Sequence, residues 1–138
     1  MTALPDHLAV CPLRSLVSGL GHIGIRVHDY DRTRAFYEQL GFDHAWGPVA
    51  PDNVAAMRHP CGLELNFIIN AKDAQVPNVL MDGSDKLAGI THIALAITDV
   101  AAVEAALERA GIPISGRRDR VALFVRDPDR NVIELASD

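Results

Sequence analysis

Length, composition and charge exclude several classes of protein. A chain of 138 residues with 49% hydrophobic and 22% charged residues fits one globular domain with a core of its own. The net charge of −5 argues against a general nucleic-acid binder, because neutralising phosphates needs a basic surface. The apolar runs are interrupted too early for a membrane span, so no membrane association is expected.

The N-terminal arm, residues 1–18, carries charged side chains where a signal peptide would need an unbroken apolar stretch. A short helix, a packing arm and disorder all stay open for it. The two cysteines, Cys11 and Cys61, have no CxxC spacing, so we expect reduced thiols and a cytoplasmic protein.

Module one, residues 19–69, begins with apolar alternation over 20–27, which predicts a strand. Asp29 then caps a predicted helix over 31–40, and Gly41 ends that helix in a left-handed conformation. Three shorter strands are predicted to complete the module, near residues 43–47, 53–59 and 62–69.

Module two, residues 89–137, follows an irregular linker of residues 70–88 and repeats the same order of elements. A strand over 90–97 leads through Asp99 to a helix whose apolar residues form one face. The predicted segments after that first strand are a helix over 100–110 and strands over 112–115, 120–126 and 131–136. The fold class is therefore α+β, with two tandem βαβββ modules in residues 19–137. They form a curved mixed-sheet cup with the helices on its outer face.

Residues with metal-ligand chemistry repeat between the modules. His22 and Glu64 lie 42 positions apart, and so do His92 and Glu134, at a shift of 70 positions. Strand alternation places all four opposite the aliphatic residues, on one polar face. Hydrogen-bonded histidines and solvated glutamates would account for each residue alone. Because Glu is depleted from strands, two matched His and Glu pairs favour a metal site.

Four segments carry a resemblance to a known family. They are GHIGIRVHDYDRTRAFYEQLGF and THIALAITDVAAVEAALERAGI at the module starts, with GLELNF and DPDRNVIEL at the module ends. Over residues 19–137 the chain resembles the vicinal oxygen chelate superfamily of glyoxalases, bleomycin-resistance proteins and ring-cleaving dioxygenases. The resemblance implies a cup around one divalent metal, with the ligands His22, Glu64, His92 and Glu134. This complete His, Glu, His, Glu set is similar to that of glyoxalase I.

The resemblance also implies roles for individual residues. Glu134 is the first candidate for the catalytic base and Glu64 is its counterpart. Arg26 matches an arginine that bacterial glyoxalase I uses near its substrate, and a guanidinium suits a carboxylate or phosphate. The glutathione-contacting asparagine of that family would fall near position 68, where this chain has Ile. Asn66, two places earlier, is the substrate-binding candidate here.

The expected activity is that of a divalent-metal-dependent lyase or isomerase of glyoxalase I type. Two imidazoles and two carboxylates suit Ni, Co, Mn, Fe or Zn. Such a site would support proton transfer next to a metal-bound carbonyl through an enediolate. The expected substrate is a small molecule, a glutathione adduct or another anionic carbonyl compound. A homodimer is expected, and whether the site forms within one chain or across the dimer stays open.

Two alternatives are kept. One is an Fe(II) ring-cleaving dioxygenase-like enzyme that uses both histidines and Glu134. The other is a non-enzymatic small-molecule-binding protein of the antibiotic-resistance type.

Several further charged residues are assigned to ordinary roles. Arg117, Arg118 and Arg120 are predicted to lie in a solvated loop, and His28 at the surface. Arg130 occupies a turn position where the family normally has a glycine with positive φ.

Overall fold

Two copies of one strand and helix pattern make up the protein in its structure, a computed structural model that describes residues 12–72 and 78–137. Module one contains β1 (Ile23–Val27), α1 (Tyr30–Gln39), β2 (Asp43–Val49), β3 (Val54–Arg58) and β4 (Glu64–Ile69). A short helix, α2 (Val79–Asp82), lies in the linker. Module two contains β5 (His92–Ala96), α3 (Val100–Ala110), β6 (Gly116–Arg118), β7 (Ala122–Arg126) and β8 (Val132–Ala136).

Each module forms a four-stranded mixed sheet. The strand orders are β1-β4-β3-β2 and β5-β8-β7-β6, with the first and last strands of each module parallel and the other pairs antiparallel. The predicted α+β class and the two tandem βαβββ modules are confirmed. Within the described ranges, no helix combines the length and the apolar character needed to cross a membrane.

Both long helices begin and end as their sequences predict. The carboxylates of Asp29 and Asp99 accept hydrogen bonds from the backbone N–H groups of Arg32 and Ala102. These bonds satisfy N–H groups that have no partner within the helix. Helix α3 ends at Gly111 with φ of 72°, where a side chain would be strained.

Strand alternation separates a dry face from a polar face in both sheets. On β1, Ile25 and Val27 are buried whereas Gly24 and Arg26 are exposed. The dry faces of both modules join in one hydrophobic core. By the same alternation, Glu64, His92 and Glu134 lie next to core residues of their strands and on the opposite face.

The strand predicted over 112–115 is displaced. The structure begins β6 at Gly116, and Ile112 and Ile114 pack against the core without a strand ladder. Pro113 lies between them and has no N–H group to donate to a neighbouring strand, which explains the later start.

The structure describes only part of the N-terminal arm and one of the two cysteines. Residues 12–16 form a turn whose side chains are exposed, and residues 1–11, including Cys11, lie outside the described part. Cys61 is an exposed free thiol.

Polar contacts join the two modules inside the core. The Tyr37 hydroxyl of α1 donates a 2.8 Å hydrogen bond to the Asp127 carboxylate after β7, which is 3% exposed. Burial raises the pKa of Asp127, although hydrogen bonds from Asn131 and Tyr37 oppose that shift. His28 pairs with Asp129 at the same junction and is half-buried, so its assignment to the surface was wrong.

Candidate metal centre

His92 and Glu134 form a close pair in module two. Nε2 of His92 lies 3.0 Å from Oε2 of Glu134, whose side chain is only 9% exposed. On its other side, Nδ1 of His92 lies 2.8 Å from the Thr91 hydroxyl. Phe124 pairs with Glu134 across β7 and β8, and its ring lies edge-on to the His92 imidazole with the ring centroids 6.2 Å apart. The imidazole is therefore held on both sides with Nε2 facing the carboxylate.

Arg118 holds the second oxygen of Glu134. Its Nη2 and Nε lie 2.9 and 3.3 Å from Oε1. The assignment of Arg118 to a solvated loop was wrong, because β6 begins later than predicted and carries this arginine toward β8. Its neighbour Arg117 pairs instead with Glu104 on α3. Had β6 been predicted over its observed residues, Arg118 would have lain in the same sheet as Glu134, and its charge would have suggested a contact with that carboxylate.

Module one places its candidates differently. His22 is exposed and, within residues 12–72 and 78–137, makes no hydrogen bond or ion pair. Glu64 is half-buried and accepts a 2.7 Å hydrogen bond from Nε of Arg58, its neighbour across β3 and β4. The carboxylates of the two modules are thus each bound by an arginine, although the arginines come from different strands.

The strand registers of the two modules differ by two residues. In β1 and β4 the paired residues are 42 positions apart, as in Gly24 with Asn66. In β5 and β8 they are 40 positions apart, as in Ala94 with Glu134. The shift of 70 positions therefore holds for β1 and α1 but not for β4. In the sheet, the counterpart of Glu134 is Asn66 and not Glu64.

The two substrate-binding candidates lie in adjacent strands of module one, Arg26 in β1 and Asn66 in β4. Arg26 donates a 2.9 Å hydrogen bond to Oδ1 of Asn70 and is exposed. It borders a cavity of about 280 Å³ that is also lined by His92 from module two. Asn66 is half-buried, and its Oδ1 is buried without a hydrogen-bond partner.

The donor chemistry fits a divalent cation. Two ligands at about 2.1 Å from one ion and at right angles to each other lie about 3 Å apart, which is the spacing of His92 Nε2 and Glu134 Oε2. Among the described residues, no three His, Cys, Asp or Glu side chains are grouped to hold one ion. One chain presents these ligand candidates as a close pair in module two, whereas in module one His22 is exposed and Glu64 is bound by Arg58.

The family follows from comparison with known sequences. The profile of the Glyoxalase/Bleomycin resistance protein/Dioxygenase superfamily matches residues 19–135. The chain belongs to this superfamily. Comparison with curated protein sequences finds no match.

Solved structures of the superfamily share the fold. A glyoxalase family protein from Enterococcus faecalis is 26% identical, with a TM-score of 0.67 over 88% of this chain and 99% of that one. The trypanothione-dependent glyoxalase I of Leishmania major is 28% identical, with a TM-score of 0.56 over 84% of each chain. The fosfomycin resistance protein FosX from Listeria monocytogenes is 20% identical, with a TM-score of 0.67 over 88% and 91%. The architecture of this chain is therefore shared with solved members of the superfamily.

Proposed function

We propose that the protein is a divalent-metal-dependent lyase or isomerase of glyoxalase I type. The observation that carries the proposal is the pair formed by His92 Nε2 and Glu134 Oε2, 3.0 Å apart on the polar face of the sheet. A buried carboxylate beside an imidazole is costly unless a cation or donors compensate it. Here the pair lies in a fold whose relatives include glyoxalase I.

The proposed metal ligands are His22, His92 and Glu134, with Glu64 as the sequence-predicted donor from module one. Their mixed nitrogen and oxygen chemistry suits Ni, Co, Mn, Fe or Zn. FosX, at 20% identity, has been solved with Mn(II). When bound, the metal would polarise a substrate carbonyl and make the proton on the neighbouring carbon more acidic.

Glu134 is the proposed proton acceptor. Arg118 holds its Oε1, which leaves Oε2 directed toward His92. His92 is itself held by Thr91 and Phe124, so both members of the pair have fixed positions. Fixed groups of this kind are what general base catalysis requires.

The proposed substrate is an anionic carbonyl compound. Arg26 borders the same cavity as His92, and its guanidinium could bind a carboxylate there. Ile68 replaces the asparagine that the resemblance to glyoxalase I leads one to expect at that position. The proposed substrates therefore include carbonyl adducts of thiols other than glutathione.

The proposal includes a homodimer. Leu20 and Ile90, each two residues before a candidate histidine, are 72% and 85% exposed. Large apolar side chains at matched places beside the two histidines suit a surface that a second copy covers.

The experiment measures metal binding and turnover together. Purified protein loaded with Ni(II) or Co(II) is assayed with the methylglyoxal adducts of glutathione and of other thiols. We expect Glu134→Gln to lower kcat by about 10²- to 10⁴-fold, the range of a general base. Glu108→Gln, on the exposed surface of α3, is the matched control and should leave kcat unchanged. A chain that acquires no metal, or a Glu134→Gln variant with normal kcat, would refute the proposal.

A further inference from the structure

The hairpins that lead into β4 and β8 match residue for residue. In each, the first residue of the turn donates its N–H to the carbonyl of the last, His59 to Leu63 and Asp127 to Asn131. The fourth residue has positive φ in both, 101° at Gly62 and 65° at Arg130. Counting four residues onward from these gives Asn66 in module one and Glu134 in module two. The turns therefore confirm independently what the strand registers show.

We infer that Asn66, and not Glu64, supplies the oxygen donor of module one to the metal. The inference rests on the proposed metal-dependent function and names a different fourth ligand for it. It concerns Oδ1 of Asn66, which is buried and has no hydrogen-bond partner among the described residues.

A buried amide oxygen without a partner has lost its hydrogen bonds to water and gained none in return, so such atoms are uncommon unless something else binds them. Side-chain amide oxygens are ordinary ligands of hard divalent cations, which include Mn, one of the metals proposed above. The neighbours of Asn66 on this face are small. Its neighbours across the strands are Gly24 and Ala56, and a Cβ added to Gly24 would meet only Cδ1 of Ile68, at 3.9 Å.

Glu64 lies in a different place on the sheet. It is the first residue of β4, directly opposite Arg58, and its counterpart in module two is Val132. An apolar residue at the matched position indicates that the fold does not require a ligand there. Glu64 then serves the surface ion pair with Arg58 at the end of the sheet.

The exchange changes the charge of the centre. Two imidazoles, one carboxylate and one amide leave a divalent ion with one uncompensated positive charge, whereas a second carboxylate would neutralise it. The remaining charge would strengthen binding of an anionic substrate. It also leaves Glu134 as the single carboxylate that can accept a proton.

The test compares Zn(II) affinity of the full chain with that of four variants, Asn66→Ala, Asn66→Asp, Glu64→Gln and the surface control Glu108→Gln. Because it removes a ligand, Asn66→Ala should weaken binding at least about 10-fold, as losses around metal sites do. Asn66→Asp keeps an oxygen at the same length and adds a charge, so it should bind at least as tightly as the wild type. Glu64→Gln and Glu108→Gln should change the affinity by less than about 3-fold.

A second readout follows the side-chain amide of Asn66 by NMR. Its NH₂ resonances, identified by their loss in Asn66→Asp, should shift when Zn(II) is added to the wild-type protein. An unshifted amide overturns the inference. It is also overturned if Glu64→Gln weakens binding as much as Asn66→Ala does. In both of these cases the chain still binds metal, so the proposed function survives and only the choice of Asn66 is wrong. If the wild-type chain binds no Zn(II), Ni(II) or Co(II), the proposed function fails as well.

Discussion

His92 Nε2 lies 3.0 Å from Glu134 Oε2, while the other oxygen of Glu134 is bound by Arg118 at 2.9 Å. The carboxylate is thus divided between a candidate ligand and a fixed cation. Two charge-assisted contacts satisfy a group that is almost fully buried, and a half-exposed arginine supplies one of them.

Replacing Arg118 tests how the metal-free carboxylate is stabilised. We expect Arg118→Gln to lower the free energy of unfolding by about 1 kcal/mol, because Glu134 loses its contacts at Oε1. Arg120→Gln, two residues away and exposed, should change it by less than about 0.5 kcal/mol. Urea unfolding of both variants, in the presence of a chelator, makes the measurement. Equal stabilities would show that the ion pair with Arg118 contributes nothing.

Mixing two inactive variants tests the proposed homodimer. His22→Ala and His92→Ala should each abolish tight binding of Ni(II), since each removes an imidazole ligand. If the site combines module one of one chain with module two of another, co-expressed variants should recover it in about a quarter of the sites, the share given by random pairing. Metal content of the co-purified protein is the readout. A co-purified mixture without bound metal would contradict a shared site.

Burial of the Asp127 carboxyl group makes the stability of the fold depend on pH. Burial raises the pKa of Asp127, so ionisation costs more in the folded than in the unfolded chain. The contribution of the protonated Asp127 carboxyl to the free energy of unfolding is complete below the unfolded pKa of about 3.9. It is lost as pH rises through the higher folded pKa. Tyr37 opposes that loss because its hydroxyl stabilises the charged carboxylate.

We therefore expect Tyr37→Phe to be more destabilising at pH 7 than at pH 4. The loss at pH 7 should be about 1.5–3 kcal/mol, the value of a hydrogen bond to a charged group. Unfolding by urea across this range gives the difference from wild type. Phe36→Leu, in the same helix and without a polar group, should show a difference that does not vary with pH. A constant difference for Tyr37→Phe would mean that Asp127 is not ionised at pH 7 in the folded protein.

The sequence was sufficient for the modules and for the polar face, because both follow from local patterns. Asp29 and Asp99 predicted the starts of the two long helices, as the structure confirms. The sequence was insufficient to predict which residues pair across neighbouring strands. The equal spacing of 42 positions suggested that Glu64 matches Glu134, whereas register depends on which backbone groups meet across strands that are distant in the chain.

Contacts of long side chains were also beyond the sequence. Arg118 reaches Glu134 from two strands away, so its role follows only once the order β8-β7-β6 is known. The proline at position 113 was visible, but alternation of Ile112 and Ile114 outweighed it in the prediction. Packing of those two residues against the core satisfies the same pattern without a strand.

Arg130 is expected to lower stability through its backbone. Its φ of 65° is left-handed, which costs a residue with a side chain roughly 1 kcal/mol, whereas Gly62 fills the matched turn position of module one without that cost. The Arg130 side chain offsets part of the strain by binding Asp82 at 2.7 and 3.1 Å, in a half-exposed ion pair that tethers α2.

Two substitutions at Arg130 separate these effects. Arg130→Ala removes the ion pair and keeps the strain, and Arg130→Gly removes both, so Arg130→Gly should be more stable than Arg130→Ala by about 1 kcal/mol. In the Asp82→Asn variant the ion pair is already lost. Adding Arg130→Gly to that variant should therefore raise its free energy of unfolding by a similar amount. Urea unfolding of the four variants completes the comparison. If alanine and glycine proved equally stable, the left-handed backbone at this turn would carry no cost.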